Sequence, residues 1–393
     1  MKKLLFVTHE QFWPLTGGCT AGNFHILKYL AQNGFEVAIS TPLFVDVSSL
    51  SQKYGFKFES FSPYYMHRKV KFRMVKYVVY GFLSTFHLIR VLFTNRYDVI
   101  YVNNAILAFP FIFIKPFLKI PVVIRYTDFL SGFLGEDKKY PKLVVRFLRF
   151  YELRVAGIFD KVFVITDRMK QSLCHAGGIK ESKVILTFDG VDGNVFNPGK
   201  LPDDNRQVIR KKLDIPLEAK LVMFHGTIEP HHGEGIIVDI IKKLLEKSAQ
   251  AHVLLIGVGS GYDKIQKALK DDLRVHMLDF VSYNEIPLYI DASDVGMIPY
   301  PKNESMDMVL TLKLLEYLSL GVRCVTFDLE SIKDTFRNKD FIKTSKNAEE
   351  FIFNIIEMLE KGRSKEAIEI IGQGFTWDKV AERIRQELPG ESF

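Results

Sequence analysis

The stretch KKLLFVTHEQFWPLTGGCTAGNFHILKYLAQNGFEVAIS, residues 2–40, decides the fold. Residues 3–8 are an apolar run, and Thr16, Gly17 and Gly18 follow as a loop. Residues 23–32 continue at helical spacing until Asn33-Gly34 ends the helix, and residues 36–40 form a second apolar run. Strand, glycine loop, helix and strand in this order build a parallel sheet with helices on both faces. Outward from there, residues 99–102, 122–126 and 161–165 are further short β-branched runs bounded by polar residues or glycine. A polar, turn-rich linker occupies 194–204, and then the pattern restarts. Strands are expected at 221–224, 252–256, 274–277, 295–298 and 323–327, with a helix at 235–247. The expected architecture is therefore α/β, with two Rossmann-like domains facing each other across a cleft. Residues 1–195 form the first, completed by a returning helix at 377–393, and residues 205–375 form the second.

Composition narrows the function. A hydrophobic content of 47% in 393 residues excludes a disordered chain and supplies two cores. Cys19, Cys174 and Cys324 lie far apart, which excludes a disulfide framework and a cysteine zinc site. The opening apolar run ends at His9 and Glu10, too soon for an export signal, so a buried first strand and a cytoplasmic chain are expected. No run of 18 uninterrupted apolar residues is present, so no spanning helix is expected.

Charge is unevenly placed. Residues 1–195 carry 26 Lys+Arg and 14 Asp+Glu, a net +12, and the remainder carries 27 and 32, a net −5. No acidic residue lies between Glu59 and Asp98, where Arg68, Lys69, Lys71, Arg73, Lys76, Arg90 and Arg96 alternate with aromatics such as Phe82 and Phe86. Lys138, Lys139, Lys142, Arg146 and Arg149 do the same among Phe147, Phe150 and Tyr151. Such segments read as a surface lying on an anionic membrane, peripheral on its inner face. The competing reading makes these aromatics inward-facing helix core. No nucleic-acid motif accompanies the charge, so nucleic acid is not an expected partner.

Three loops and one helix carry candidate ligand chemistry. Gly17-Gly18 lets backbone amides approach an anion at a helix start, or is an ordinary tight turn. Residues 225–233 place Gly226, Thr227, His232 and Gly233 before another helix start. The adjacent His231 and His232 have no carboxylate set around them, so no metal is expected. Gly257-Val258-Gly259-Ser260-Gly261 fails the dinucleotide fingerprint, because Tyr262 stands where its third glycine belongs. Residues 313–321, KLLEYLSLG, put Lys313 and Glu316 three apart on one helix face, as a surface ion pair or as ligand-binding groups.

In order along the chain, these motifs resemble the large family 4 of retaining glycosyltransferases, whose fold is usually called GT-B. The resemblance rests on Thr16-Gly17-Gly18, Phe188-Asp189-Gly190-Val191-Asp192, Gly257-Val258-Gly259, Asp291-Ala292-Ser293-Asp294-Val295, the Lys313 to Gly321 block and Phe375-Thr376-Trp377. It implies a nucleotide-sugar donor on the second domain and a glycan or lipid-linked acceptor on the first. Glu316 would accept hydrogen bonds from the donor ribose. Backbone amides at Thr311, Leu312 and Lys313 would hold the diphosphate, and Gly17 and Gly18 would close on it. Gly226, Gly233, Gly257 and Gly259 would line the donor, while Asp128 would meet sugar hydroxyls. Thr227, His232 and Met308 stand where the family has Arg, Lys and Glu, and Thr127 stands where it often has His. Retaining transfer on this fold needs no cofactor, because the nucleotide sugar is itself a substrate. With no strict D-x-D motif, metal independence is expected; the leaving diphosphate is stabilised electrostatically and takes the acceptor proton. The rival readings are an epimerase or phosphorylase of the same fold and a non-catalytic nucleotide-sugar-binding protein.

Overall fold

The computed structural model describes all residues except 14, 16–17, 43–44, 62–72, 137–139, 229–233 and 390–393. Gly17, His232, Gly233, His231, Arg68, Lys69, Lys71, Lys138 and Lys139 therefore lie outside the described residues, as do the side chains of Arg73 and Lys76. The chain divides into two units, residues 1–189 with 377–393, and residues 190–376.

Among the described residues the first unit holds seven parallel strands: β1 (Lys2–Val7), β2 (Phe35–Ser40), β3 (Lys57–Phe58), β4 (Val99–Asn103), β5 (Val122–Tyr126), β6 (Lys161–Val164) and β7 (Val184–Leu186). Their order is β3-β2-β1-β4-β5-β6-β7. Every residue of β4 and β5 is buried, as helices on both faces require, which explains their continuous rather than alternating apolar sequence. The order reverses between β1 and β4, and ligands of such sheets bind at the carboxyl ends beside that reversal.

The second unit repeats the scheme with β8 (Lys220–His225), β9 (Ala251–Ile256), β10 (Val275–Leu278), β11 (Val295–Ile298), β12 (Arg323–Phe327) and β13 (Ile342–Ser345). Here the order is β10-β9-β8-β11-β12-β13, and the reversal falls between β8 and β11. Most strands fall within a residue of their expected bounds. β3, β7 and β13 escape the sequence reading because they are short or carry Lys, Thr and Ser in place of an apolar run.

The first helix, Gly18–Gln32, begins five residues before its expected start at 23. Gly18, Cys19, Thr20, Ala21 and Gly22 read as loop by composition, yet the segment is helical, and packing overrides propensity there. Gly22 is required by that packing. A Cβ there would meet the Trp377 ring at 2.6 Å, and Trp377 stacks on His25 with a 4° interplanar angle. The returning helix Trp377–Glu387 is thereby fixed on the first unit, with Lys161 Nζ on Glu387 at 2.6 Å.

The helix Arg73–Thr94 holds no run of 18 uninterrupted apolar residues, in keeping with the sequence. Residues 77–94 are long and apolar enough to cross a membrane by length and composition alone, with Ser84, Thr85, His87 and the single charge Arg90 interrupting the run. One face, with Tyr80, Ser84, Leu88 and Val91, is buried in the first unit.

Candidate active site

In the second unit the polar groups converge at the carboxyl ends of β8 and β11, beside the strand-order reversal. His225 ends β8, and its Nε2 lies 3.4 Å from Glu316 Oε2 on the helix Leu312–Ser319. Both side chains are buried. Burial, then the neighbouring Lys313 charge, pushes His225 down to about 3, so the ring is neutral and the contact is not an ion pair. Burial pushes Glu316 up to about 7 against the pull of Lys313. Lys313 turns instead to Tyr300 after β11, donating to its hydroxyl at 2.5 Å and lying over the Phe224 ring. The expected surface pair of Lys313 and Glu316 is thus replaced by two separate partners, neither adjacent in sequence.

Two glycine loops interlock beneath these groups. Gly226 N donates to Ile256 O at 2.8 Å, and Ile228 N donates to Val258 O at 2.9 Å. A Cβ on Gly257 would sit 2.0 Å from Gly226 O, and one on Gly259 would sit 2.3 Å from Ile228 O. Gly226 itself has φ +111°, and Lys313 Cε occupies the space where its Cβ would be. Gly226→Ala is therefore expected to cost about 1–3 kcal/mol in the unfolding free energy and to displace Lys313 from Tyr300; chemical denaturation reads the first. Thr227 beside it is exposed. The helix Leu312–Ser319 starts at Thr311, whose side chain makes no cap hydrogen bond; the Leu314 amide turns back to Thr311 O at 3.1 Å, which leaves the Leu312 and Lys313 amides for an anion.

The first unit places a second polar group at the carboxyl ends of β1, β4 and β5. Asn104, at φ +60°, receives the Thr127 amide on its side-chain oxygen at 2.9 Å. Thr127 Oγ1 lies 3.3 Å from Cys19 Sγ on the helix Gly18–Gln32. Burial and the charges of Glu10 and Asp128 push the Cys19 thiol well up, so it is not a thiolate nucleophile. Asp128 follows directly, pushed up to about 7 by burial and then by Glu10, Glu152 and Asp189. Beneath it Arg125, fully buried, donates to Asp189 Oδ1 at 2.6 Å and to Phe188 O at 3.2 Å. Glu152, also pushed to about 7 by burial, accepts from the Leu130 and Ser131 amides. Sequence reasoning singled out Asp128 but missed Asn104, Cys19 and the Arg125–Asp189 pair. The buried Arg125 within an otherwise apolar strand was the available signal.

Raised carboxyls set a pH dependence. In the folded chain Glu316 holds its proton up to about 7, while unfolded it releases it near 4.5. The folded state then binds more protons between these values, so this group's contribution to stability falls as pH rises through that window. Below 4.5 both states are protonated and the penalty is absent. The difference in melting temperature between Glu316→Gln and the parent is expected to be near zero at acid pH and to grow in the variant's favour up to neutrality.

A cavity of about 590 Å³ lined by Lys2, Asp98, Lys119 and Pro389 lies at the amino-terminal ends of β1 and β4. It is the wrong edge of the sheet for the ligand chemistry above.

Comparison with known proteins fits this geometry. Residues 205–374 match the family described as glycosyl transferases group 1, and residues 16–194 match Glycosyltransferase Family 4. The chain belongs to the group 1/family 4 glycosyltransferases. The D-inositol 3-phosphate glycosyltransferase of Corynebacterium efficiens is 27% identical over 182 residues, 44% of this chain and 42% of that one. Its counterpart from Kineococcus radiotolerans is 26% identical over 171 residues, 40% and 38% of the respective chains. The chain matches less than half the length of these curated relatives.

Solved structures are similar over nearly the whole length. Sucrose-phosphate synthase from Thermosynechococcus elongatus has TM-score 0.77 at 14% identity, covering 98% of both chains. Anabaena HepE, solved with UDP and glucose, has TM-score 0.72 at 16% identity, covering 99% of both. At these identities the likeness is one of fold, and that fold is the expected GT-B.

Within this family member, two acidic residues in or beside the motif positions make structural contacts. Asp294 binds Arg206 at 2.6 Å, the fully buried Arg210 at 2.8 Å and the Leu221 amide at 2.7 Å, tying the helix Asn205–Lys212 to β8. Asp307, beside Met308, accepts from the Glu330 amide at 3.0 Å and so serves the helix Glu330–Thr335.

Proposed function

We propose that this glycosyltransferase moves a sugar from a nucleoside-diphosphate donor to a glycan or lipid-linked acceptor, with retention of configuration and without a metal. The observation that carries the proposal is Glu316, a buried carboxyl beside neutral His225, on a helix whose Leu312 and Lys313 amides are uncapped. A carboxyl there accepts ribose hydroxyls, and the helix start with Lys313 takes up diphosphate charge. In this reading Thr311, Leu312 and Lys313 hold the diphosphate, and Gly226, Gly257 and Gly259 shape the floor beneath it. Gly18, at the start of the helix Gly18–Gln32, and Asp128 belong to the acceptor-binding unit. As charge develops on the leaving diphosphate, its oxygen takes the proton of the attacking acceptor hydroxyl on the same face. The chain would work in the cytoplasm, where such donors are met, on the inner face of a membrane, with no nucleic-acid partner.

The exposed, uncharged Thr227 favours a second reading, a binding protein without turnover. A thermal-shift screen of nucleoside diphosphates and their sugars, followed by a transfer and hydrolysis assay with and without EDTA, separates the two. Stabilisation by one donor with EDTA-resistant transfer is the expected result. Stabilisation without turnover selects the binding protein, and stabilisation by no donor ends both readings.

A further inference from the structure

The helix Arg73–Thr94 is apolar on two faces. Opposite its buried face runs an exposed stripe, Val78, Phe82, Phe86, Ile89 and Phe93, at helical spacing, with Phe93 87% exposed. Such a stripe is out of place on a chain surrounded only by water. Two neighbouring elements repeat the feature. The helix Arg73–Thr94 packs at Gly81 on the Ile106 carbonyl and the Phe109 ring, and the following residues expose Phe113 and Phe117, the latter 86%. The helix Lys142–Val155 joins the same segment through Tyr151, which donates to Ala105 O at 2.9 Å. It exposes Leu143, Phe147 and Phe150.

The exposed charges carried by these three elements themselves have one sign, although Asp160 and Glu59 border them. Arg90, Lys142, Arg146 and Arg154 are exposed, whereas Lys115 is half-buried and paired with Asp160 at 2.8 Å. Among the described residues of the three elements the sole carboxylate is Glu152, which is buried under the Leu130 and Ser131 amides. A protein partner or a second copy of this chain would have to cover the apolar stripe with a matching acidic surface. An anionic bilayer supplies both the acyl region and the charge. Among the described residues the inward-facing alternative holds for Tyr77 against the His9 ring, for buried Tyr80 and for Tyr151, and Arg149 likewise turns away, over the Phe129 ring at 4.4 Å.

We infer that the helices Arg73–Thr94 and Lys142–Val155, with the segment from Ala105 to Phe117 between them, are the surface by which the first unit lies on an anionic lipid bilayer. The inference deepens the membrane part of the proposed function and needs nothing of its donor chemistry. Phe82, Phe86, Phe93 and Phe117 enter the interfacial region, Arg90 and Arg146 meet lipid phosphates, and the helix Arg73–Thr94 lies flat because its other face belongs to the core.

The test is flotation of the full chain with phosphatidylglycerol–phosphatidylcholine vesicles, against pure phosphatidylcholine. The chain is expected to float with the anionic vesicles and to be partly released by high salt. Phe82→Ser/Phe86→Ser/Phe93→Ser should weaken partition by more than about tenfold at every salt concentration. Arg90→Glu/Arg146→Glu should weaken binding to anionic vesicles alone. Phe117→Ser, a single change at a highly exposed site, repeats the test should the triple variant lose its circular-dichroism unfolding transition. No flotation of the parent chain, or equal flotation of the phenylalanine variants, overturns the inference. So does a dimer in solution that the triple variant converts to monomer, since the stripe then belongs to a second copy. Donor binding is read separately by thermal shift, so either reading can fail alone.

Discussion

Glu316→Ala is expected to lower donor affinity by about 10–100-fold while raising the melting temperature. The two effects have one origin. A carboxyl pushed to about 7 by burial costs the fold on the order of 1–3 kcal/mol at neutral pH, and the substitution removes that cost. The same carboxyl gives a bound nucleotide a hydrogen bond to a charged group, typically about 1.5–3 kcal/mol. Loss of binding with gain of stability marks a group kept for its ligand rather than for the fold. Titration calorimetry with the nucleoside diphosphate found by screening, beside a thermal melt in its absence, measures both. Unchanged affinity would remove Glu316 from the donor site.

The largest stability effect is expected at Asp189. Asp189→Ala leaves the guanidinium of Arg125, which has no exposed surface, without a counter-charge at the bottom of the first unit. Breaking a buried pair in this way costs about 3–5 kcal/mol. Burial alone would raise the Asp189 carboxyl, and Arg125 opposes that rise. Adding Arg125→Met to Asp189→Ala removes the stranded charge and is expected to restore most of the loss. A denaturant titration of the two single variants and the double variant reads the coupling. If the double variant is no more stable than Asp189→Ala, the pair is not what holds this position.

These two residues also show how much was legible in the sequence. The parallel sheets were, because strands covered on both faces are mainly apolar, and β4, β5, β8 and β9 are so apart from Asn103, Arg125, Lys220, His225 and His252. The start of the first helix was not, since Gly18 and Gly22 look like loop until Trp377 is seen against Gly22. Glu316 was legible through the spacing of its block. Its neighbour His225 was not, because parallel pairing brings together the ends of strands and helices far apart in the chain, and no local period records that. Asp294 shows the converse: a motif residue whose visible contacts are with Arg206, Arg210 and a strand amide, so its presence reports the fold rather than the chemistry.

The helix Trp377–Glu387 has a consequence for how the protein is made. The first unit is interrupted by residues 190–376 and receives this helix only after the whole second unit has been synthesised. Until then the groove beside Gly22 that Trp377 fills is bare, and its apolar surface is open to solvent. Synthesis from the amino terminus therefore finishes the second unit first, although it is encoded later. During that interval the nascent first unit is the part most in need of a chaperone.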